Sequence, residues 1–210
     1  MSVMSCISST VIEDIAAMCK AGNATMAYFY FDFRDTKNQC LQDLVRSCLI
    51  QLSACLAPHF DVLSNLYLAH KKGKSQPSNS DLAACLKTML KLPDKRPIYL
   101  IVDALDESPN SPGIPSPREK VLQFVKELDE LCLPNLHVCV TSRPEIDIRN
   151  VFEPLTSLRV SLHDQSGQKE DIAEYIRSVV YSDFEQIMRR WRIEDKELVI
   201  KTLSQRADGM

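Results

Sequence analysis

Pro97-Ile98-Tyr99-Leu100-Ile101-Val102-Asp103-Ala104-Leu105-Asp106-Glu107 is an apolar run that ends abruptly in three carboxylates. An apolar, partly β-branched run of this length, opened by proline, reads as a strand buried on both faces, as in a parallel sheet covered by helices. A carboxylate at the end of such a strand faces the crevice where open α/β sheets bind ligands. Asp103 is therefore placed to hold a magnesium ion through water, and Asp106 or Glu107 to orient and deprotonate a water that attacks a terminal phosphate. The chemistry needs two groups, one to offset the metal's charge and one to act on the nucleophile. The competing reading is that these acids merely solubilise a loop.

Upstream, Ile7, Val11, Ile12, Ile15, Ala16 and Cys19 recur at helical spacing, with Gly22 and Asn23 as a stop. Residues 26–33 are apolar and aromatic apart from Asp32, which predicts a second covered strand. Thr36-x-x-Gln39 reads as a capping box opening a helix to about residue 56, and helices are expected over 58–70 and 82–90. Downstream, the four prolines of residues 108–117 demand a loop. Its end is a helix start, with Ser116 as cap, Pro117 at the first helical position and Glu119 closing the box, and that helix runs to about residue 131. Residues 136–140 form a short buried strand ending in Thr141-Ser142-Arg143-Pro144. In a parallel sheet Arg143 emerges beside Asp103, either to neutralise a terminal phosphate or to pair with Asp106 or Glu107. A last strand is expected at 158–162, and helices at 168–181 and 194–203. Residues 1–166 thus read as the core and 167–210 as the start of a helical lid.

Composition narrows the class. Twenty-five basic and 28 acidic residues give a net charge of -3, which offers no field for nucleic acid or an anionic membrane. No apolar run reaches a membrane span, and the N-terminus lacks the basic and apolar regions of a signal peptide. Eight cysteines without a Cys-x-x-Cys pair read as reduced thiols, and the expected location is the cytoplasm. Cys132, His137 and Cys139 lack a fourth ligand for zinc. The four histidines carry no catalytic motif, which argues against a small hydrolase.

The series Tyr28-Phe29-Tyr30-Phe31-Asp32-Phe33, Leu100 to Glu107, and Val138-Cys139-Val140-Thr141-Ser142-Arg143-Pro144 resembles the NACHT nucleotide-binding module. More narrowly it is similar to the fungal signalling NTPases with numerous domains (STAND), including heterokaryon-incompatibility proteins and the nephrocystin-like N-terminal group. The resemblance implies a three-layer P-loop NTPase-like α/β fold, slow hydrolysis of ATP or GTP with Mg²⁺, and nucleotide-controlled oligomerisation. It makes Asp103 the Walker B magnesium residue, Asp106 and Glu107 the additional acids, and Arg143 part of the sensor segment. It also makes protein partners the expected ones.

One element of that family pattern is absent. Met1-Ser2-Val3-Met4-Ser5-Cys6 stands where the family has a strand and a Gly-x-x-x-x-Gly-Lys-Ser/Thr loop. Phosphate binding rests mostly on aligned amides and a lysine, so this chain alone is expected to hydrolyse nucleotide inefficiently, and its binding of ATP or GTP is doubtful. The sheet is expected to lack its first strand. A fragment, a shortened gene model or a decayed paralogue, cut at both ends, accounts for the pattern. The alternative function is an inactive adaptor that binds full-length NACHT relatives.

Overall fold

The computed structural model describes residues 3–35, 39–111, 115–155, 157–161, 168–181 and 191–206, which fall into two compact units, Met1–Leu155 and Thr156–Met210. The first unit holds a parallel sheet of β1 (Thr25–Tyr30), β2 (Ile98–Asp103) and β3 (Leu136–Val140), in that spatial order. Parallel neighbours need long crossovers, and the helices between the strands supply them. The register sets Tyr30 beside Asp103 and Val102 beside Val140, so all three strands end on one rim.

Strand periodicity divides the sheet into two faces. Ala27 and Phe29 of β1 and Ile98, Leu100 and Val102 of β2 point into the main core. There they meet α2 (Leu41–Cys55), α4 (Asn79–Leu90) and α5 (Pro117–Asp129) through Leu44, Leu49, Leu52, Leu86, Met89, Val121 and Phe124. Between α2 and α4, α3 (Ala57–Ala69) packs on both. The opposite face meets α1 (Val3–Lys20), with Ile15 and Ile101 buried on that side. Helix, sheet and helix make the three-layer α/β arrangement that the sequence implies.

Local chemistry sets the helix starts. Ser78 and Ser116 each accept the amide of the third helical residue, Asp81 or Glu119, whose carboxylate answers the cap's own N–H. The expected box at Thr36 and Gln39 does not open α2. Thr36 lies outside the described residues, and Gln39 instead donates its side-chain amide to the carbonyls of Asp32 and Phe33 at 3.2 and 2.8 Å. Asp43 performs the capping, accepting from the N–H and the thiol of Cys40.

Three further expectations are revised. β1 stops at Tyr30, short of Phe33, because β2 ends at Asp103, whose carbonyl takes the last bond, from the Phe31 N–H at 3.1 Å. Residues 158–161 form no strand, and Leu158 and Val160 are exposed; Leu162 lies outside the described residues. A short helix, α6 (Ile146–Phe152), follows β3 where no element was expected, anchored by buried Ile148.

In the second unit, α7 (Gln168–Val180) packs on α8 (Ile193–Arg206). Tyr181 donates its hydroxyl to Glu197 at 3.0 Å, and the Lys196 ammonium lies 4.8 Å from the Tyr181 ring centre. No helix among the described residues is long and apolar enough to cross a membrane.

Candidate functional site

The rim is built by the way β2 ends. After Asp103 the chain passes through Ala104 in the left-handed region (φ 54°, ψ 47°), a conformation costing a side-chain-bearing residue about 1–2 kcal/mol. It then makes one 3-10 turn, Leu105–Glu107, whose Leu105 is fully buried. Hydrogen bonds to the end of β3 hold this bend: Ala104 N–H donates to Thr141 Oγ1 at 3.1 Å and Leu105 N–H to the Thr141 carbonyl at 3.0 Å. The Thr141 N–H in turn donates to Val102. The exits of two neighbouring parallel strands are thereby stitched together.

The bend fans the three acids apart. Asp103 lies on the α1 face, 2% exposed, where Oδ1 accepts the hydroxyls of Ser8 and Thr141, the latter at 2.5 Å. No described cation forms an ion pair with it. Asp106 turns toward β3: Oδ1 accepts the backbone N–H of Arg143 at 3.0 Å, and Oδ2 lies 3.4 Å from Arg143 Nε. Glu107 turns toward β1 and accepts the N–H of Phe33 at 3.2 Å. Asp103 also colours its surroundings, since partial burial, and after it the Asp103 charge, push the Tyr30 phenol above its ordinary pKa.

Asp106, Glu107 and Arg143 thus gather on the rim beyond Asp103, and Arg143 is paired with Asp106 while its side chain stays 77% exposed. Among the described residues no three acids, histidines or cysteines converge into a metal cage. Asp103 offers at most one anionic ligand, a buried carboxylate whose Oδ1 already accepts two hydroxyls. The triphosphate fits poorly. The described glycines, Gly22 and Gly73, follow α1 and α3, and no glycine-lysine loop adjoins the acids. A shallow depression of about 500 Å³ lies elsewhere, between the free edge of β1 and α2, lined by Tyr28, Tyr30, Arg46 and Gln51 among others.

Ser8 escaped the sequence reading because it lies within a polar Ser-Ser-Thr run of α1, and only docking of that helix brings it to Asp103. The bridging role of Thr141 was also invisible, although its position at the strand end was the signal available.

Comparison with known proteins places this geometry in a family. The family model described as nephrocystin 3, N-terminal, matches residues 4–143, from α1 to Arg143, including every strand of the sheet and all four rim residues. No curated protein and no solved structure matches. Since the matched region exceeds half of the 210 residues, the chain belongs to the nephrocystin-3 N-terminal family.

Proposed function

We propose that this chain carries the magnesium and water side of a NACHT-type nucleoside-triphosphate switch, as a fragment or degenerate form whose ancestral role is nucleotide-dependent signalling and oligomerisation. One observation carries the reading: Asp103, Asp106, Glu107 and Arg143 leave adjacent parallel strands on a common rim. In this reading Asp103 holds the metal through water, Asp106 or Glu107 orients a nucleophilic water, and Arg143 meets the terminal phosphate. Residues 167–210 are the start of a helical lid, and the chain works in the cytoplasm with protein partners.

These 210 residues contain no Gly-x-x-x-x-Gly-Lys-Ser/Thr run, which separates metal binding from nucleotide binding for this polypeptide. The polypeptide alone binds Mn²⁺ weakly through Asp103 and turns over neither ATP nor GTP at a useful rate. Mn²⁺ titration followed by electron paramagnetic resonance is the test, with loss of the signal change in Asp103→Asn as the expected result. Mn²⁺ binding that ignores Asp103→Asn sinks the metal assignment, and micromolar binding of Mg-ATP abolished by the same substitution overturns the inactive reading.

A second reading is an adaptor that binds full-length relatives. It is favoured by the position of β3 at the end of the sheet among the described residues, where His137 and Cys139 are exposed. Co-purification with a full-length relative tests it, and absence of any complex removes it.

A further inference from the structure

We propose that Arg118 is a positioning residue, a buried fork that locks the acidic rim by tying the turn after β2 to the segment after β3. Its place in the sequence gives no hint of this. Arg118 is the second residue of α5, and a cation in the first turn of a helix opposes the helix dipole. Yet it is only 6% exposed, so its charge must be met by protein groups.

Those groups come from both sides of the rim. Nε donates to the Ser108 carbonyl at 3.0 Å, and one terminal nitrogen donates to the Asp106 carbonyl at 2.5 Å. The other terminal nitrogen pairs with Glu145 and with Asp147, the latter at 3.3 Å. Arg118 also donates its backbone N–H to Pro109 at 3.2 Å. One planar guanidinium therefore joins a carbonyl of the turn after β2, Asp106, and the first carbonyl of the proline-rich loop, Ser108, to two carboxylates at the start of α6. Arg143 lies two residues before Glu145 in that same segment.

The geometry makes Arg118, and not the Arg143–Asp106 pair, the determinant of the rim. Asp106 is only 8% exposed, but the Arg143 side chain is 77% exposed and its Nε lies 3.4 Å away, so solvent screens the pair from the Arg143 side. The buried fork sets the spacing of the two segments, and the contact of Asp106 with the Arg143 amide follows from it. Lysine cannot substitute, because its single ammonium lacks the planar set of donors that reaches four acceptors.

This inference rests on the proposed reading of the rim only for its functional meaning, and the test keeps the two apart. Amide hydrogen exchange is measured on the full chain for wild type, Arg118→Lys and Arg118→Ala. In Arg118→Lys we expect the Arg143 amide and those of residues 105–108 to exchange about tenfold faster, while Phe29, Leu100 and Leu86 keep their protection. Unchanged exchange at Arg143, or an equal loss across rim and core, overturns the inference, since charge balance or bulk packing is then all that Arg118 supplies. The double variant Glu145→Gln/Asp147→Asn, which leaves Arg118 in place, is expected to loosen the same amides if Arg118→Ala fails to fold. An undisturbed Arg143 amide in that variant also overturns the inference. Mn²⁺ affinity is read on the same samples. Faster rim exchange in Arg118→Lys, together with a wild type that binds no Mn²⁺, supports Arg118 and fails the metal reading alone.

Discussion

Replacing Asp103 by asparagine should stabilise the protein. Asp103 is 2% exposed and meets two hydroxyl donors but no described cation. An asparagine Oδ1 can still accept from Ser8 and Thr141, so the shape and both bonds persist. Hydrogen bonds to a charged acceptor contribute about 1.5–3 kcal/mol each against about 1 kcal/mol for neutral partners, so the exchange loses roughly 1–4 kcal/mol. Against this, burying an unpaired carboxylate costs several kcal/mol even after relaxation, and the amide escapes that cost. The balance favours Asp103→Asn by about 1–2 kcal/mol, or roughly 2–8 °C in Tm for a chain of this size. Asp103→Ala removes the acceptor altogether, leaves two hydroxyls without a partner and falls about 2–4 kcal/mol below the asparagine variant. Urea denaturation at constant m-value measures both. An asparagine variant more than about 1 kcal/mol less stable than wild type refutes the reasoning, because the charge is then a structural anchor and not a group held in reserve for a ligand.

Other outcomes follow from the same geometry. Gln51 donates to the Tyr28 carbonyl at 2.7 Å and accepts from its N–H at 3.1 Å, occupying one rung of the free β1 edge, so Gln51→Ala should cost about 1–2 kcal/mol and expose the Tyr28 amide to exchange. Burial pushes the Cys48 thiol up to about 12, so Cys48 should stay unlabelled by a maleimide at pH 8 while exposed Cys55 and Cys132 react; labelling of Cys48 before unfolding contradicts its place in the core. Ser108, Ser111 and Ser116 each precede a proline, but Ser108 and Ser116 are buried and Ser111 is exposed, so a proline-directed kinase should modify Ser111 alone of the three, as peptide mass spectrometry would reveal. Hydrogen bonds from the Arg96 side chain hold the Asp94 carboxyl below its ordinary value. A depressed carboxylate contributes stability that is present above its unfolded pKa and lost as pH falls through the folded one, so Arg96→Met should flatten the decline in stability below about pH 4.

The Asp103 and Arg118 cases share a physical theme. A charged group buried at a helix start or strand end is destabilising unless its partners are arranged in advance. Arg118 has such partners, four acceptors from the segments that follow β2 and β3, whereas Asp103 has hydroxyls only. Arg118 therefore fastens two segments together, while Asp103 keeps a buried charge that among the described residues only hydroxyls answer.

How much of this was legible follows from the range over which each signal acts. The strands at 98–103 and 136–140, the boxed helix start at Ser116 and the helical stripes of α2 and α4 were readable because periodicity and caps act over three to seven residues. Their order along the chain also implied a parallel sheet whose acids and arginine share a rim. The start of α2 was misread because two capping patterns overlap at 36–43, and packing of Gln39 against the Asp32 and Phe33 carbonyls decided between them. The strand expected at 158–162 failed for a related reason: an apolar run becomes a strand only when a neighbour supplies its hydrogen bonds. Only the tertiary structure chose the fan of Asp103, Asp106 and Glu107 toward three different neighbours, the bridge from Ser8, and the fork of Arg118. These contacts join residues up to 95 positions apart, and no local pattern encodes which polar groups meet once helices dock on a sheet.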